Sequence, residues 1–222
     1  MFRFFLLLLT LGIVFLFGRE ADPVNIQAIR ESGVVNAPLA ANDLVRHAHV
    51  LQEAMQTLGD SLPPRTIQQL SEIKSRGRVL SHQTLEEQMD RSTLLNVELG
   101  SGGELSLHAG QAKPLLSQAG WKNYLIKVNN PYGYTGELAI VSPNAEPLYH
   151  KSAGEQFPLK ENTIGVEALK ERFLELAFYR GKPMLPGLSG VPVEYRILQI
   201  YTRASHSRSA SLQVALTDDR EG

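Results

Sequence analysis

Cysteine is absent from the 222 residues. That removes disulfides, thiolate nucleophiles, cysteine-ligated zinc and lipid attachment at a lipobox cysteine, so stability must come from packing. An excess of charge of one sign is missing too, since 22 Lys and Arg stand against 23 Asp and Glu, for a formal net charge of -1. Such a balance makes no field that would gather nucleic acid or anionic lipid, and nucleic acid is not an expected partner. Aromatic residues are few, 7% of the chain, with one tryptophan, Trp121. No N-x-S/T glycosylation acceptor occurs. After Gly18 no apolar run nears the ~20 residues that span a bilayer, which confines expected membrane contact to residues 1–18.

The N-terminus is where apolar residues do concentrate. Met1, Phe2 and Arg3 lead into the run Phe4 to Phe17, broken only by Thr10 and Gly12. One cation ahead of about 14 apolar residues fits a secretory h-region better than a full span. Residues 1–18 are therefore expected to be a signal peptide or short membrane anchor. The protein is expected to be exported: periplasmic, extracellular or anchored through that segment. Leu16 and Gly18 make a poor small-x-small pair, and a cut after Ala21 would put Arg19 at the minus-three position, so removal of the leader stays open. A cysteine-free exported chain leans toward the bacterial envelope.

Residues 19–41 carry Pro23, Gly33 and Pro38 without sustained periodicity and read as a tether. Leu44, Ala48, Leu51, Met55 and Leu58 then recur at helical spacing, with Asn42 or Asp43 as cap and Gly59 as stop. A second helix comes next, with Pro63 and Pro64 in its first turn, Ile67, Leu70 and Ile73 as its stripe, and Lys74, Arg76 and Gly77 at its close. A short third helix is expected near Thr84 to Asp90. Residues 42–91 thus read as a helical hairpin, separable from the β-rich remainder of the chain because the period changes near Ser92.

From there the period is two. Leu95, Val97 and Leu99 begin a hairpin turned by Gly100 to Gly103 and completed by Glu104 to His108. Strands are expected over Trp121 to Asn129, where Tyr124, Ile126 and Val128 alternate with Leu125, Lys127 and Asn129, and over Thr135 to Ser142, Arg172 to Tyr179, Val193 to Thr202 and Ser209 to Leu216. A helical turn is expected over Gly165 to Lys170. In Val193 to Thr202 the apolar phase slips between Ile197 and Leu198, which predicts burial on both faces or a bulge. The fold class is mainly β with an α-helical N-terminal part: an immunoglobulin-like β-sandwich over 92–218 preceded by the hairpin. Trp121 is expected to anchor its core.

Chemistry-bearing patterns are sparse. His47 and His49 form H-x-H inside a helix, where residues two apart point about 200° apart and cannot easily share an ion. His82, His108, His150 and His206 lie on separate segments without a carboxylate-rich motif. Ser189, within Gly187 to Gly190, lacks the G-x-S-x-G spacing of a nucleophile elbow and reads as a turn serine. Gly100, Gly102 and Gly103 are followed by no Lys-Ser/Thr and serve a turn. Lys74, Arg76 and Arg78 sit at a helix end where cations favour the dipole, and Arg203, His206 and Arg208 occupy a loop between strands. No catalytic, cofactor-binding or metal residue is assigned, no cofactor is expected, and the chain is not expected to be an enzyme by itself.

Taken together, Gly120 to Asn130 (GWKNYLIKVNN), Glu137 to Tyr149 (ELAIVSPNAEPLY) and Leu188 to Arg203 (LSGVPVEYRILQIYTR) resemble the non-catalytic β-rich region upstream of the metallohydrolase domain in large secreted bacterial proteins of the CehA/McbA type, within the PHP group. The resemblance covers about Leu94 to Asp218 and implies an accessory sandwich behind a signal peptide and helices. It carries over no catalytic residue, because the metal ligands of such proteins belong to a later domain.

The expected function is an exported, non-catalytic binding or scaffolding module of the bacterial cell envelope. Two alternatives stand beside it: the accessory N-terminal portion of a metal-dependent hydrolase, and carbohydrate or surface-polymer binding. A protein partner, a hydrolase domain or a surface polymer are the candidate partners.

Overall fold

The computed structural model describes residues 11–15, 41–76, 82–145 and 166–217. The segment read as a tether up to residue 40, most of the segment read as a leader, Gly77 and Arg78, and His150 lie outside them. The chain is mainly β, with its larger helices grouped before the sheet-forming region.

Helix α1 (Ala41–Thr57) buries Leu44, Ala48, Leu51, Ala54 and Met55 along one stripe. Its end is set by Gly59, whose φ of 72° is open to glycine without strain. There the Gly59 amide donates to Gln56 O and the Asp60 amide to Met55 O, the paired bonds of a Schellman motif. Helix α2 (Pro64–Arg76) starts on a proline, whose missing N–H costs nothing at that position. Helix α3 (His82–Asp90) is two residues longer than expected and buries Leu85 and Met89.

Among the described residues eight strands succeed one another: β1 (Leu11–Phe15), β2 (Thr93–Leu99), β3 (Leu105–Ala109), β4 (Gly120–Asn129), β5 (Glu137–Val141), β6 (Leu174–Phe178), β7 (Val193–Thr202) and β8 (Arg208–Thr217). The expected helical turn is α4 (Val166–Glu171). One sheet has the order β3-β2-β4-β7-β6 and a smaller one the order β1-β8-β5. The β2–β3 hairpin turns as expected, with Gly103 at a φ of 81°. The small sheet lies across the large one, with β5 beside β6 at one edge and β8 beside β3 at the other. An immunoglobulin-like sandwich is not confirmed. That fold stacks two antiparallel sheets, whereas here β2 runs parallel to β4 and a helical layer covers the other face of the large sheet.

Two hydrophobic clusters hold these layers. One lies between the sheets and includes Val97, Ile126, Val128, Leu198, Ile200 and Leu212. The other joins Leu44, Ala48, Leu51 and Met89 of the helices to Leu125, Val193, Tyr195 and Ile197 of the sheet. The change of period at Ser92 is thus a change of element across which packing continues.

Strand β7 explains its own phase slip. Its pairing with β4 runs without interruption from Val193↔Asn129 to Thr202↔Gly120, so no bulge is present. Instead both faces are buried, in different halves. Val193, Tyr195 and Ile197 face the helices, while Leu198 and Ile200 face the small sheet.

Within the apolar run read as a leader, β1 pairs antiparallel with Arg208–Leu212 of β8.

Because helices and sheet share a core, Leu51→Ala, at a fully buried α1 position, should cost about 2–5 kcal/mol. Helical and β-sheet signals should melt together in a single transition, as measured by far-UV and near-UV circular dichroism.

Candidate functional site

The offset of the two covers leaves part of the helix-side face bare. Beyond Ile197 the odd-numbered residues of β7 are Gln199 and Tyr201. Their ladder partners are Asn123 and Trp121 on β4, and Ala177 and Glu175 on β6. Residues paired across an antiparallel ladder share a face. These six therefore form one surface, bordered by the Gly59–Asp60 turn at the end of α1.

Trp121 is 55% exposed there. Its ring centroid lies 5.4 Å from that of Tyr201, with the planes tilted by 46°. The Arg203 guanidinium lies 5.7 Å from the Tyr201 ring centre and pairs with Glu175. Along the inner border, Asn123 Nδ2 donates to Asp60 Oδ2 at 3.2 Å, and Gln199 Nε2 lies 3.5 Å from Asn123 Oδ1. Two rings are thus framed by amides, two carboxylates and one guanidinium.

This corrects the reading of Trp121 as a core anchor. The intersheet core of β4 is built by Tyr124, Ile126 and Val128, whereas Trp121 shares its parity with Asn123, Lys127 and Asn129. The helical layer reaches Leu125 and stops short of Trp121. Tyr201, Gln199, Asn123, Glu175 and Asp60 were missed as site residues, although the polar odd positions after Ile197 carried the signal.

The opposite face of β7 holds two charged residues that apolar layers do not cover. Glu194 is 1% and Arg196 4% exposed, and both are satisfied by the loop after β6. Ser189 donates to Glu194 through its amide at 3.1 Å and its hydroxyl at 2.7 Å. Arg196 donates to the carbonyls of Gly187, Pro186 and Leu185. Burial pushes the Glu194 carboxyl above its ordinary range, while Ser189 and the Arg196 charge pull it back. Burial lowers the Arg196 guanidinium against the pull of Glu194. Ser189 is a turn serine as read, with the further task of holding a buried carboxylate. Nearby, a cavity of ≈ 230 Å³ is bounded by Arg46, His47, Val50, Met184 and Ser189.

His47 and His49 do diverge: His49 is exposed, while His47 Nε2 lies 2.8 Å from the Tyr195 amide and 2.9 Å from its carbonyl. Strand β6 ends at Phe178, opposite Leu198, so the edge of β7 at Tyr195 lacks a strand partner and the imidazole serves as one. Burial lowers the His47 pKa to about 4, partly countered by its bond to the Tyr195 backbone. The ring is therefore neutral near pH 7, accepting from the amide.

Lys127 Nζ contacts Glu86 at 2.6 Å and Asp90 at 2.9 Å, and Tyr195 Oη donates to Asp90 at 2.7 Å. Burial alone would lower the Lys127 pKa, but its bonds to both carboxylates outweigh this and raise it. The cluster ties α3 to β4 and β7. The basic residues of the last interstrand loop separate: Arg203 joins the aromatic face, His206 is exposed, and Arg208 turns to Glu171 and the Phe173 ring. Side chains of Lys74 and Arg76 lie outside the described residues, as does Arg78. Among the described residues no three His, Asp or Glu side chains gather where they could hold a metal ion.

No protein-family model, curated protein or solved structure matches this chain.

Two measurements check these assignments. Trp121 should emit at the wavelength of a water-exposed indole, and Trp121→Ala should cost about 1 kcal/mol or less, against the roughly 3–5 expected of a core tryptophan. For His47, whose folded pKa of about 4 lies below the ordinary 6.5, the unfolded chain binds more protons between those values, so stability falls as pH drops from about 6.5 to about 4. His47→Gln, which keeps a hydrogen-bonding side chain but cannot titrate, should flatten that part of the urea-denaturation profile.

Proposed function

We propose that this protein is an exported, non-catalytic binding module of the bacterial cell envelope, and that its contact surface is the Trp121–Tyr201 face. One observation carries the reading: the chain's single tryptophan stands more than half exposed beside a tyrosine, on the strand pair that forms the centre of the fold. Leaving an indole in water forfeits a large burial, and tryptophan, tyrosine and arginine are the side chains that dominate contact energetics. A ten-residue ladder beneath them fixes the ring positions in advance, so little ordering is required on binding. The N-terminal apolar run supports export. Among the described residues no helix is long and apolar enough to cross a membrane.

Sedimentation with envelope fractions of the producing cells tests the reading. Wild-type protein should co-sediment, and Trp121→Ala and Tyr201→Ala should each weaken retention about tenfold with unchanged circular dichroism. Equal retention of both variants would show that another surface, or none, makes the contact.

A further inference from the structure

We infer that the Trp121–Tyr201 face takes a neutral, pyranose-containing glycan. The inference rests on the preceding reading of that face as the contact surface and assigns its ligand class. Three properties of the face lead there.

The first is size. Exposed apolar surface at this place consists of two rings and the Ala177 methyl, and aromatic side chains offer about 150–250 Å² each. A stable protein–protein contact buries roughly 800 Å² per partner around an apolar core. Of the other exposed large apolar residues, Leu115, Tyr132, Val141, Val166 and Leu185, none belongs to the ladder positions that build this face. The face is too small for a stable protein contact, and its exposed aliphatic group, the Ala177 methyl, is too small to hold a lipid chain. A sugar ring, with one face of C–H groups and a rim of hydroxyls, is matched to a ring of this size.

The second is the frame. Asn123 and Gln199 present amides, Asp60 and Glu175 carboxylates, and Arg203 a guanidinium. Hydroxyls both donate and accept, and this set supplies partners for both. The contacts Asp60–Asn123 and Asn123–Gln199 aim the amides along the border of the rings before any ligand arrives.

The third is charge. Two carboxylates face one guanidinium, and that guanidinium is already paired with Glu175. Lys122, next to Trp121 in sequence, alternates to the opposite face of β4, opposite Ile200. A phosphate- or uronate-rich polymer, an anionic bilayer or a single nucleic-acid strand would need a surplus of cations here. The 46° tilt between the rings presents two surfaces in succession, which suits a twisted oligosaccharide better than one flat ring.

The test is tryptophan-fluorescence titration of the full chain with three neutral hexamers, of β-1,4-linked glucose, α-1,4-linked glucose and β-1,4-linked N-acetylglucosamine, at low salt and in about 1 M NaCl. At least one should shift Trp121 emission to the blue, with an affinity changed less than about twofold by salt. The same hexamer should bind at least about tenfold more weakly to Tyr201→Ala and to Gln199→Leu, followed by calorimetry, and should release the protein from envelope fractions. If no hexamer binds or competes while Trp121→Ala still weakens sedimentation about tenfold, the glycan assignment is wrong and the face remains a contact surface for another partner. Salt-sensitive binding to polyphosphate or to vesicles containing phosphatidylglycerol in place of the hexamers would overturn it as well. If Trp121→Ala leaves sedimentation unchanged, the reading of the face itself fails.

Discussion

The structure depends on one constraint: β7 must be buried on both faces, and the layers that bury it are offset along its length. Helices cover Val193, Tyr195 and Ile197, and the small sheet covers Leu198 and Ile200 on the other side. Each cover leaves half a face uncovered. At the Val193 end the bare half carries Glu194 and Arg196, which a buried position tolerates only when hydrogen-bonded. The loop from Leu185 to Ser189 supplies those bonds from its own backbone and one hydroxyl. At the Thr202 end the bare half carries Gln199 and Tyr201 and stays open. The cavity-side polar cluster and the aromatic face are two outcomes of one offset.

The same offset accounts for two further polar contacts between the layers. His47 stands where β6 has ended and β7 has not, occupying the place of a strand that is missing. The cluster of Lys127, Glu86 and Asp90 binds the third helix to the sheet at its outer limit. Both arrangements join the helical layer to the sheet.

Local features were legible in the sequence because local physics decides them. The stripe from Leu44 to Leu58 and the stop at Gly59 marked α1, and alternation around Leu95 and Leu212 marked strands that bury those residues. The slip between Ile197 and Leu198 announced double burial. What stayed hidden was nonlocal. Nothing in the alternation says that β2 and β4 run parallel or that helices lie on one face of the sheet, so an immunoglobulin-like sandwich was a fair reading of strands whose order was unknown. Trp121 was misplaced for the same reason: its bulk suggested a core, while its parity, shared with Asn123 and Lys127, placed it on a face whose cover ends before reaching it. The site arises from where α1 stops, which only the assembled layers reveal.

The ladder between β1 and β8 joins Leu11 to Leu212, nearly opposite ends of the chain. A contact of that sequence separation forms late, because the loop it closes costs more entropy than any local pairing. During synthesis the edge of β8 does not yet exist when residues 11–15 emerge. For that whole interval the apolar segment lacks the strand that pairs with it in the folded protein.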